Sequence, residues 1–192
     1  MTRAFVYTIP LLVVLILASG CTRPLLGINL FVVGERTALE RQVLGTYEKI
    51  GRDLATYASV RGVNPDGTLS PPPELTESQQ QAIAAMNNRR YNRDDVDTLL
   101  RVQFVGEGRN GRLVRLVDQI HPVEGLSPEL IGEIIAEENE DRETILARLM
   151  ETTPGVEEDD REEVEWILAG LNRDMAPPGA MYQRRDGSWR MK

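Results

Sequence analysis

Apolar residues recur every three or four positions along several segments of the chain, which is the spacing of an amphipathic helix. The first such segment runs from Thr37 to about Val60, where Thr37 and Glu40 have the spacing of a capping box. Its apolar positions are Leu39, Val43, Tyr47, Ile50, Leu54 and Tyr57. The pattern predicts an α-helix that buries one of its faces.

A proline-rich loop at residues 61–75 follows, and three short helices are predicted after it. A second capping-box pattern begins at Thr76 and starts a helix that is expected to end near residues 87–88. Asn92 begins the next helix. The apolar positions in RLVRLVDQI, residues 112–120, predict a third short helix that ends before the proline that follows.

Two longer helices are predicted in the rest of the chain before its tail. Ser127 and Pro128 have the pattern of an N-cap followed by a first-turn proline, and they begin a helix that continues through residues 129–152. Asp159 or Asp160 caps a last helix. A pair of prolines then ends the helical structure.

The tail sequence MYQRRDGSWR surrounds an Asp-Gly turn, which predicts a small β-hairpin that carries Tyr182 and Trp189. These elements together predict a mainly α fold, with several short amphipathic helices forming a small helical domain and a short β-hairpin at the C-terminal end. We expect residues 37–75 to form an amphipathic helix and a proline-rich loop. Residues 76–192 are then the helical domain with its hairpin.

The first twenty residues have the pattern of a bacterial export signal. Arg3 precedes an apolar run at residues 4–17, and the sequence Ala-Ser-Gly then leads directly to Cys21, the only cysteine in the chain. Such a run is shorter than the about 20 residues that a membrane-spanning helix needs. Small residues that end on a cysteine resemble the lipobox of bacterial lipoproteins. We therefore predict a signal peptide at residues 1–20 and a lipidated tether at residues 21–36.

The resemblance to lipoproteins implies that Cys21 receives a diacylglycerol thioether and becomes the first residue of the mature protein. Thr22, and not an aspartate, follows the cysteine, which implies transport to the outer membrane of a Gram-negative cell, on its periplasmic side. Stable attachment takes more than one acyl chain, and lipoproteins carry two or three. Two alternatives stay open: a plain signal peptide that leaves a free thiol, and an uncleaved N-terminal anchor.

The tether contains an apolar, β-branched run, INLFVV, at residues 28–33. An extended segment of this kind can add as a strand to the sheet edge of another protein. Ile28, Leu30 and Val32 are therefore candidate contacts with a partner protein of the cell envelope.

Charge narrows the range of partners. The net charge is −8, which argues against nucleic acid because phosphate binding requires a basic surface. Half of the thirty acidic residues lie between residues 127 and 165, whereas the tail from Arg173 to Lys192 is basic. We interpret the acidic helices as having solvated outer faces. The alternative is that the basic tail packs on these helices or touches a partner or anionic headgroups.

No motif in the sequence predicts catalysis, a metal or a cofactor. Gly106, Gly108 and Gly111 fit the spacing G-x-G-x-x-G, but no second strand with an acidic residue follows at the required distance, so we interpret them as an interhelical loop. His121 is the only histidine, and it lacks a nucleophile partner. The acidic runs lack the glycine-containing pattern of an EF-hand loop. The protein is therefore predicted not to be an enzyme.

Sequences near the C-terminal end are similar to the YdbL family of small cell-envelope proteins. The residues that carry the resemblance are Asn139, Arg142, Leu149, Pro178, Gly179, Gly187, Trp189 and Lys192. The resemblance covers about residues 80–192 and is strongest from residue 127 onward. It implies an accessory or assembly factor, since in some bacteria the small member is encoded beside a large AsmA-like bridging protein and a small outer-membrane lipoprotein, which are implicated in moving phospholipid between the membranes. This chain differs from short members by its lipid anchor, its helix at 37–60 and its longer loops.

The expected function is thus that of a non-enzymatic outer-membrane lipoprotein that acts through its helical surfaces on an envelope partner. An alternative is a module that binds or modifies the cell wall. In that case Tyr182 and Trp189 would form a platform on which sugars stack. The commoner role of such aromatic residues is to clamp a hairpin onto neighbouring helices.

Overall fold

The structure is a computed structural model that describes residues 37–59, 65–68, 74–116, 123 and 125–192. All of them belong to one compact unit, Thr37–Lys192. Its elements in chain order are α1 (Ala38–Ser59), α2 (Glu77–Tyr91), α3 (Arg93–Arg101), β1 (Val105–Glu107), β2 (Leu113–Arg115), α4 (Pro128–Thr152), a short 3-10 helix (Glu158–Asp160), α5 (Arg161–Met175), β3 (Met181–Gln183) and β4 (Trp189–Met191). The expected fold class, mainly α with a C-terminal hairpin, is confirmed. None of these helices is long and apolar enough to cross a membrane.

Three of the N-cap residues predicted from the sequence cap their helices as expected, whereas Asn92 and Asp160 precede their helices without a side-chain capping bond. The Thr37 hydroxyl accepts a hydrogen bond from the Glu40 backbone N–H at 3.1 Å, and Thr76 forms a complete capping box. The Ser127 hydroxyl accepts a bond from the Leu130 backbone N–H at 3.2 Å, with a proline at the first helical position. These caps satisfy backbone donors that a helix cannot satisfy within itself.

The prediction of a helix at residues 112–120 is wrong for residues 112–116, the part of this segment that the structure describes. Leu113–Arg115 is a strand, β2, which pairs antiparallel with β1. The interhelical loop predicted at Gly106, Gly108 and Gly111 is also wrong, because Gly106 lies within strand β1 and the other two glycines lie in the turn between β1 and β2. Its last glycine has a φ of +77°, which side chains disfavour, and this conformation lets the chain reverse between β1 and β2.

The strands form one mixed sheet in the order β2-β1-β3-β4. The predicted C-terminal hairpin is confirmed as the antiparallel pair β3–β4, in which Met181 lies opposite Met191. The sequence did not predict that β3 pairs in parallel with β1, where Gly106 lies opposite Met181 and Glu107 lies opposite Tyr182. The hairpin is thereby joined to a second hairpin far from it in the chain.

Two apolar clusters form the core, and the long helix α4 contributes to both. The first half of α4 supplies Ile131 and Ile134 to a cluster with α3, β1, β2 and the segment after α5. The second half supplies Ile145 and Leu149 to a cluster with α1, α2 and α5. Between these halves, α4 buries the polar residues Glu138, Asp141 and Arg142. The helix α1 adds Val43, Leu44 and Ile50 to the second of these clusters.

Candidate functional site

A buried ion pair joins the middle of α4 to strand β1. The Arg142 side chain is 6% exposed and the Glu107 side chain is 3% exposed. Arg142 Nη1 donates to Glu107 Oε2 at 2.6 Å, and Nη2 donates to Oε1 at 3.0 Å. The same guanidinium donates through Nε to Glu138 Oε1 at 2.6 Å and through Nη1 to the Gly111 carbonyl at 2.9 Å. Arg142 therefore holds both the strand and the turn that follows it.

Arg89 extends this network to two further helices. Its Nε donates to Glu138 Oε1 at 2.9 Å, and its Nη2 donates to Asn172 Oδ1 on α5 at 3.0 Å. Its Nη1 donates to the Tyr47 hydroxyl on α1 at 3.3 Å. Asn172 in turn donates through Nδ2 to the Gly111 carbonyl at 3.1 Å. The network thus connects α1, α2, α4 and α5, the four helices of the second apolar cluster, to the sheet.

The buried charges of this network balance, because two guanidinium groups face two carboxylates. Burial alone would lower the pKa of Arg142, but the charges and hydrogen bonds of Glu107 and Glu138 raise it above its ordinary value. Arg142 therefore stays protonated, and the two glutamates keep charged donors. A buried ion pair of this kind is costly to form, but it is stable when each member is satisfied.

Asp141 is buried beside the network and is less well satisfied. Its Oδ2 has no hydrogen-bond partner among the described residues, and its Oδ1 accepts a long bond of 3.5 Å from the Asn88 amide. Burial raises the pKa of Asp141 to about 6; Asn88 opposes this shift, the negative charges of Glu138 and Glu137 add to it, and Arg89 opposes it.

A cleft of about 300 Å³ opens beside the network. Its walls include the apolar residues Met86, Val96, Leu100, Met175 and Ala176, and its floor includes Arg89, Glu107, Glu138, Arg142 and Asn172. Arg90 and Arg93 also line it, and both are exposed. Within the part of the chain that the structure describes, neither arginine forms an ion pair. The acidic residues Glu48 and Asp97 line it as well. The cleft thus combines an apolar wall with a polar lining that carries both signs of charge, which suits an amphipathic segment or ligand.

Asn139 anchors the other strand of the first hairpin to the same helix. Its Oδ1 accepts a hydrogen bond from the Leu113 backbone N–H at 2.8 Å, and its Nδ2 donates to the Leu113 carbonyl at 3.1 Å. Asn139 and Arg142 are three residues apart on α4 and so lie on one side of the helix. This Asn-x-x-Arg pair therefore fastens β2 and β1 to α4.

The other residues of the C-terminal sequence motif also have structural roles. Gly179 and Gly187 have φ values of +85°, so both positions favour glycine. Lys192 Nζ donates to the carbonyl oxygens of Asp174 and Ala176 at 2.9 and 2.5 Å, which satisfies acceptors at the C-terminal end of α5. These residues of the motif therefore form and stabilise the connection between α5 and the β3–β4 hairpin.

Tyr182 and Trp189 lie on opposite faces of the hairpin, so the structure does not bring them together. Tyr182 lies opposite Arg190, whereas Trp189 lies opposite Gln183. The Arg173 guanidinium on α5 lies 5.4 Å from the centre of the Tyr182 ring, on the helix side of the sheet. Trp189 is half-buried on the other side.

Besides the bonds of Lys192, an ion pair joins the basic tail to the acidic helices. Arg185 forms an ion pair with Glu163 on α5, and its guanidinium also lies 5.1 Å from the centre of the Trp166 ring. Arg184 and Arg190 remain exposed.

Four predicted site residues lie outside the described residues: Cys21, Ile28, Leu30 and Val32. His121, which the sequence did not favour as a catalytic residue, also lies outside them. Among the residues that are described, no group of three or more His, Cys, Asp or Glu side chains could hold a metal. Sequence reasoning singled out Arg142 and Asn139 through the resemblance. It missed Arg89, Glu107 and Glu138, for which the only local signal is the four-residue spacing between Glu138 and Arg142.

Comparison of the chain with protein-family models, with the curated proteins and with the solved structures gave no match.

Proposed function

We propose that the protein is a non-enzymatic lipoprotein, anchored through Cys21 to the periplasmic side of the outer membrane. It serves there as an accessory or assembly factor for a cell-envelope complex, with an AsmA-like bridging protein of phospholipid transport as its partner. The lipobox-like sequence before Cys21 supports the anchor. The resemblance of residues 127–192 to envelope proteins of the YdbL family supports the partner.

The charged side chains of the network beside the cleft are paired with one another, and this observation favours binding over catalysis. A general base must be free to take up a proton, and a nucleophile must be free to attack. Glu107 and Glu138 are instead bound to guanidinium groups that hold five elements of the fold together. Such a network supports a rigid floor under a binding cleft. The Met86 and Met175 side chains of the wall can adapt to the shape of a bound segment.

The lipid anchor is tested by mass spectrometry of the N-terminal peptide from protein purified out of envelope membranes. We expect residue 21 to be the first residue and to carry diacylglycerol, and we expect Cys21→Ala to leave the signal peptide uncleaved. An unmodified Cys21 thiol in mature protein would instead indicate a plain signal peptide.

The cleft is tested by site-specific photocrosslinking in intact cells. A photoreactive amino acid at Met86, inside the cleft, is expected to crosslink to the AsmA-like protein. The matched control is the exposed Ala84 on the same helix, which does not line the cleft and is expected to give no such product. Equal crosslinking from the two positions, or none from Met86, would contradict a role for the cleft.

The contribution of the tether is tested separately. Replacement of Ile28, Leu30 and Val32 by serine keeps the length of the tether but removes its apolar side chains. We expect this variant to remain at the membrane and to lose co-purification with the partner. Unchanged co-purification would mean that the tether serves only as a spacer.

A wall-binding role would depend on Trp189 without Tyr182, because the two rings lie on opposite faces of the hairpin. A pull-down on isolated peptidoglycan, with the wild type and with Trp189→Ala, tests this role. Binding that is lost in the variant would favour the wall as the partner over an AsmA-like protein.

A further inference from the structure

The cleft beside the buried network is lined by four carboxylates, and each of them has a cationic partner. The two buried glutamates are held by the guanidinium groups of the network. Glu48 Oε2 lies 3.7 Å from Arg52 Nη1, one turn further along α1. Asp97 Oδ2 lies 3.6 Å from Arg101 Nη2, one turn further along α3. The negative charge of the lining is therefore matched by arginines.

Two other arginines of the lining, Arg90 and Arg93, are not matched in this way. Arg90 lies in the last turn of α2 and Arg93 begins α3, so they lie on either side of the corner between these helices. Both are exposed, and neither forms an ion pair with another residue that the structure describes. Asp94 and Asp95 follow Arg93 in the chain, but they do not line the cleft. The lining and its ion-pair partners thus carry two positive charges in excess.

Each of these two cations lies next to an apolar side chain of the cleft wall. Met86 precedes Arg90 by four residues on α2, so the two share one side of that helix. Val96 follows Arg93 by three residues on α3, and these two share a side as well. Tyr91 lies between the two arginines in the chain and is 87% exposed. Tyrosine and arginine are enriched among the residues that dominate binding energy at protein interfaces, so this corner has the composition of such a surface.

We propose that the cleft receives an amphipathic segment of the partner protein, and that an aspartate or glutamate of this segment pairs with Arg90 and Arg93. The inference rests on the proposed function, which assigns the cleft to an envelope partner, and it adds the chemistry that the partner must supply. Apolar side chains of the segment pack between Met86 and Met175, while its carboxylate lies at the corner between α2 and α3. A basic segment is excluded, because the carboxylates of the lining already have partners and the two arginines would repel it.

The test is photocrosslinking in intact cells with the full-length protein, with a photoreactive amino acid at Met86. Adding Arg90→Glu with Arg93→Glu is expected to reduce the crosslinked product about fivefold or more. Arg184→Glu with Arg190→Glu is the matched control, because it makes the same change of net charge at two exposed arginines outside the cleft. The control is expected to change the product less than about twofold. Equal effects of the two pairs would overturn the inference, since only the net charge would then matter.

An exchange of charge separates a lost ion pair from a loss of folding. Mass spectrometry of the crosslinked product identifies the segment, which we expect to carry a carboxylate within about one helical turn of its apolar residues. Replacement of that carboxylate by arginine in the partner should restore crosslinking to the Arg90→Glu, Arg93→Glu variant and weaken it with the wild type. A misfolded variant would not be rescued by a change in its partner. A segment without a carboxylate, or a lipid as the crosslinked product, would overturn the inference.

The outcomes separate this inference from the proposed function. If Met86 crosslinks to the AsmA-like protein equally with and without the charge reversal, the inference fails and the role of the cleft stands. If Met86 crosslinks to a different protein through an acidic segment, and the exchange of charge restores the product, the partner is wrong and the inference stands. Met175 also lines the cleft and is 41% exposed, so it provides a second position for the photoreactive residue. No product from either position would contradict both.

Discussion

Arg142 and Glu107 form a two-point ion pair across the junction of the helices and the sheet, with Nη1–Oε2 and Nη2–Oε1 distances of 2.6 and 3.0 Å. Both side chains are buried, so neither charge can be solvated if its partner is removed. The pair therefore makes the junction of α4 with β1 depend on complementary charge as well as on apolar packing.

The first prediction concerns the loss of this pair. Arg142→Met leaves Glu107 without its cation in the interior, and we expect the free energy of unfolding to fall by about 3–5 kcal/mol in urea titrations. Arg101→Met removes an exposed arginine that pairs with Asp97 at 3.6 Å and is expected to cost less than about 1 kcal/mol. The double variant Glu107→Leu with Arg142→Met should recover part of the loss, because no lone charge remains at the pair. Equal costs for Arg142→Met and Arg101→Met would contradict the role given to the pair.

The second prediction concerns Asn139, which pairs with both backbone groups of Leu113. Asn139→Ala leaves these two groups without their partner, and we expect a loss of about 1–3 kcal/mol in the free energy of unfolding. Hydrogen exchange of the Leu113 amide should also become faster. A general loss of packing would speed exchange at many amides, so a change at Leu113 in particular is specific to the lost bond. Asn87→Ala, at an exposed position on α2, is the control and should change neither quantity.

The helix ends were predictable from the sequence because their signals are local. Thr37, Thr76 and Ser127 each satisfy a backbone donor three residues away, so a short window contains both partners. Strand β2 was predicted as part of a helix because its sequence, Leu-Val-Arg, fits either structure. What fixes it as a strand is its pairing with β1 and its bonds to Asn139, which is 26 residues away.

The candidate site was less predictable because its contacts join residues that are far apart in the sequence. Arg142 and Glu107 are 35 residues apart, and Arg89 and Asn172 are 83 residues apart. From the sequence alone, a glutamate in a glycine-rich stretch and an arginine on a helix are both expected to lie at the surface. The parallel pairing of β1 with β3, which no local pattern indicates, makes β1 an inner strand of the sheet, and Glu107 is buried on it beneath Arg142.

The third prediction concerns the close approach of Trp189 to the sheet. Gly106→Ala would place a Cβ 2.5 Å from Trp189 Cζ3 and 3.0 Å from the Met181 carbonyl oxygen, so the ring must move and the strand pair must widen. We expect a loss of about 1–3 kcal/mol in the free energy of unfolding and a changed Trp189 emission in the Trp166→Phe background. Gly132→Ala, at an exposed helical position with nothing within 4 Å, should instead stabilise the protein by about 0.5–1 kcal/mol. A neutral Gly106→Ala would mean that Trp189 does not lie on this glycine.

The fourth prediction is a pH dependence that comes from Asp141. Burial raises its pKa to about 6 in the folded state, above the value of about 3.9 for an unfolded chain. Between these values the folded protein binds a proton that the unfolded chain has released, so this group lowers stability as the pH rises from about 4 to about 6. Asp141→Asn removes the group that titrates, so the free energy of unfolding of the variant minus that of the wild type should grow over that range and then level off. Asn88→Ala removes the hydrogen bond that opposes the shift, and the decline should then extend to higher pH. Urea titrations from pH 3.5 to 7.5 measure these differences, and an Asp141→Asn variant that loses stability relative to the wild type as the pH rises from about 4 to about 6 would contradict the sign.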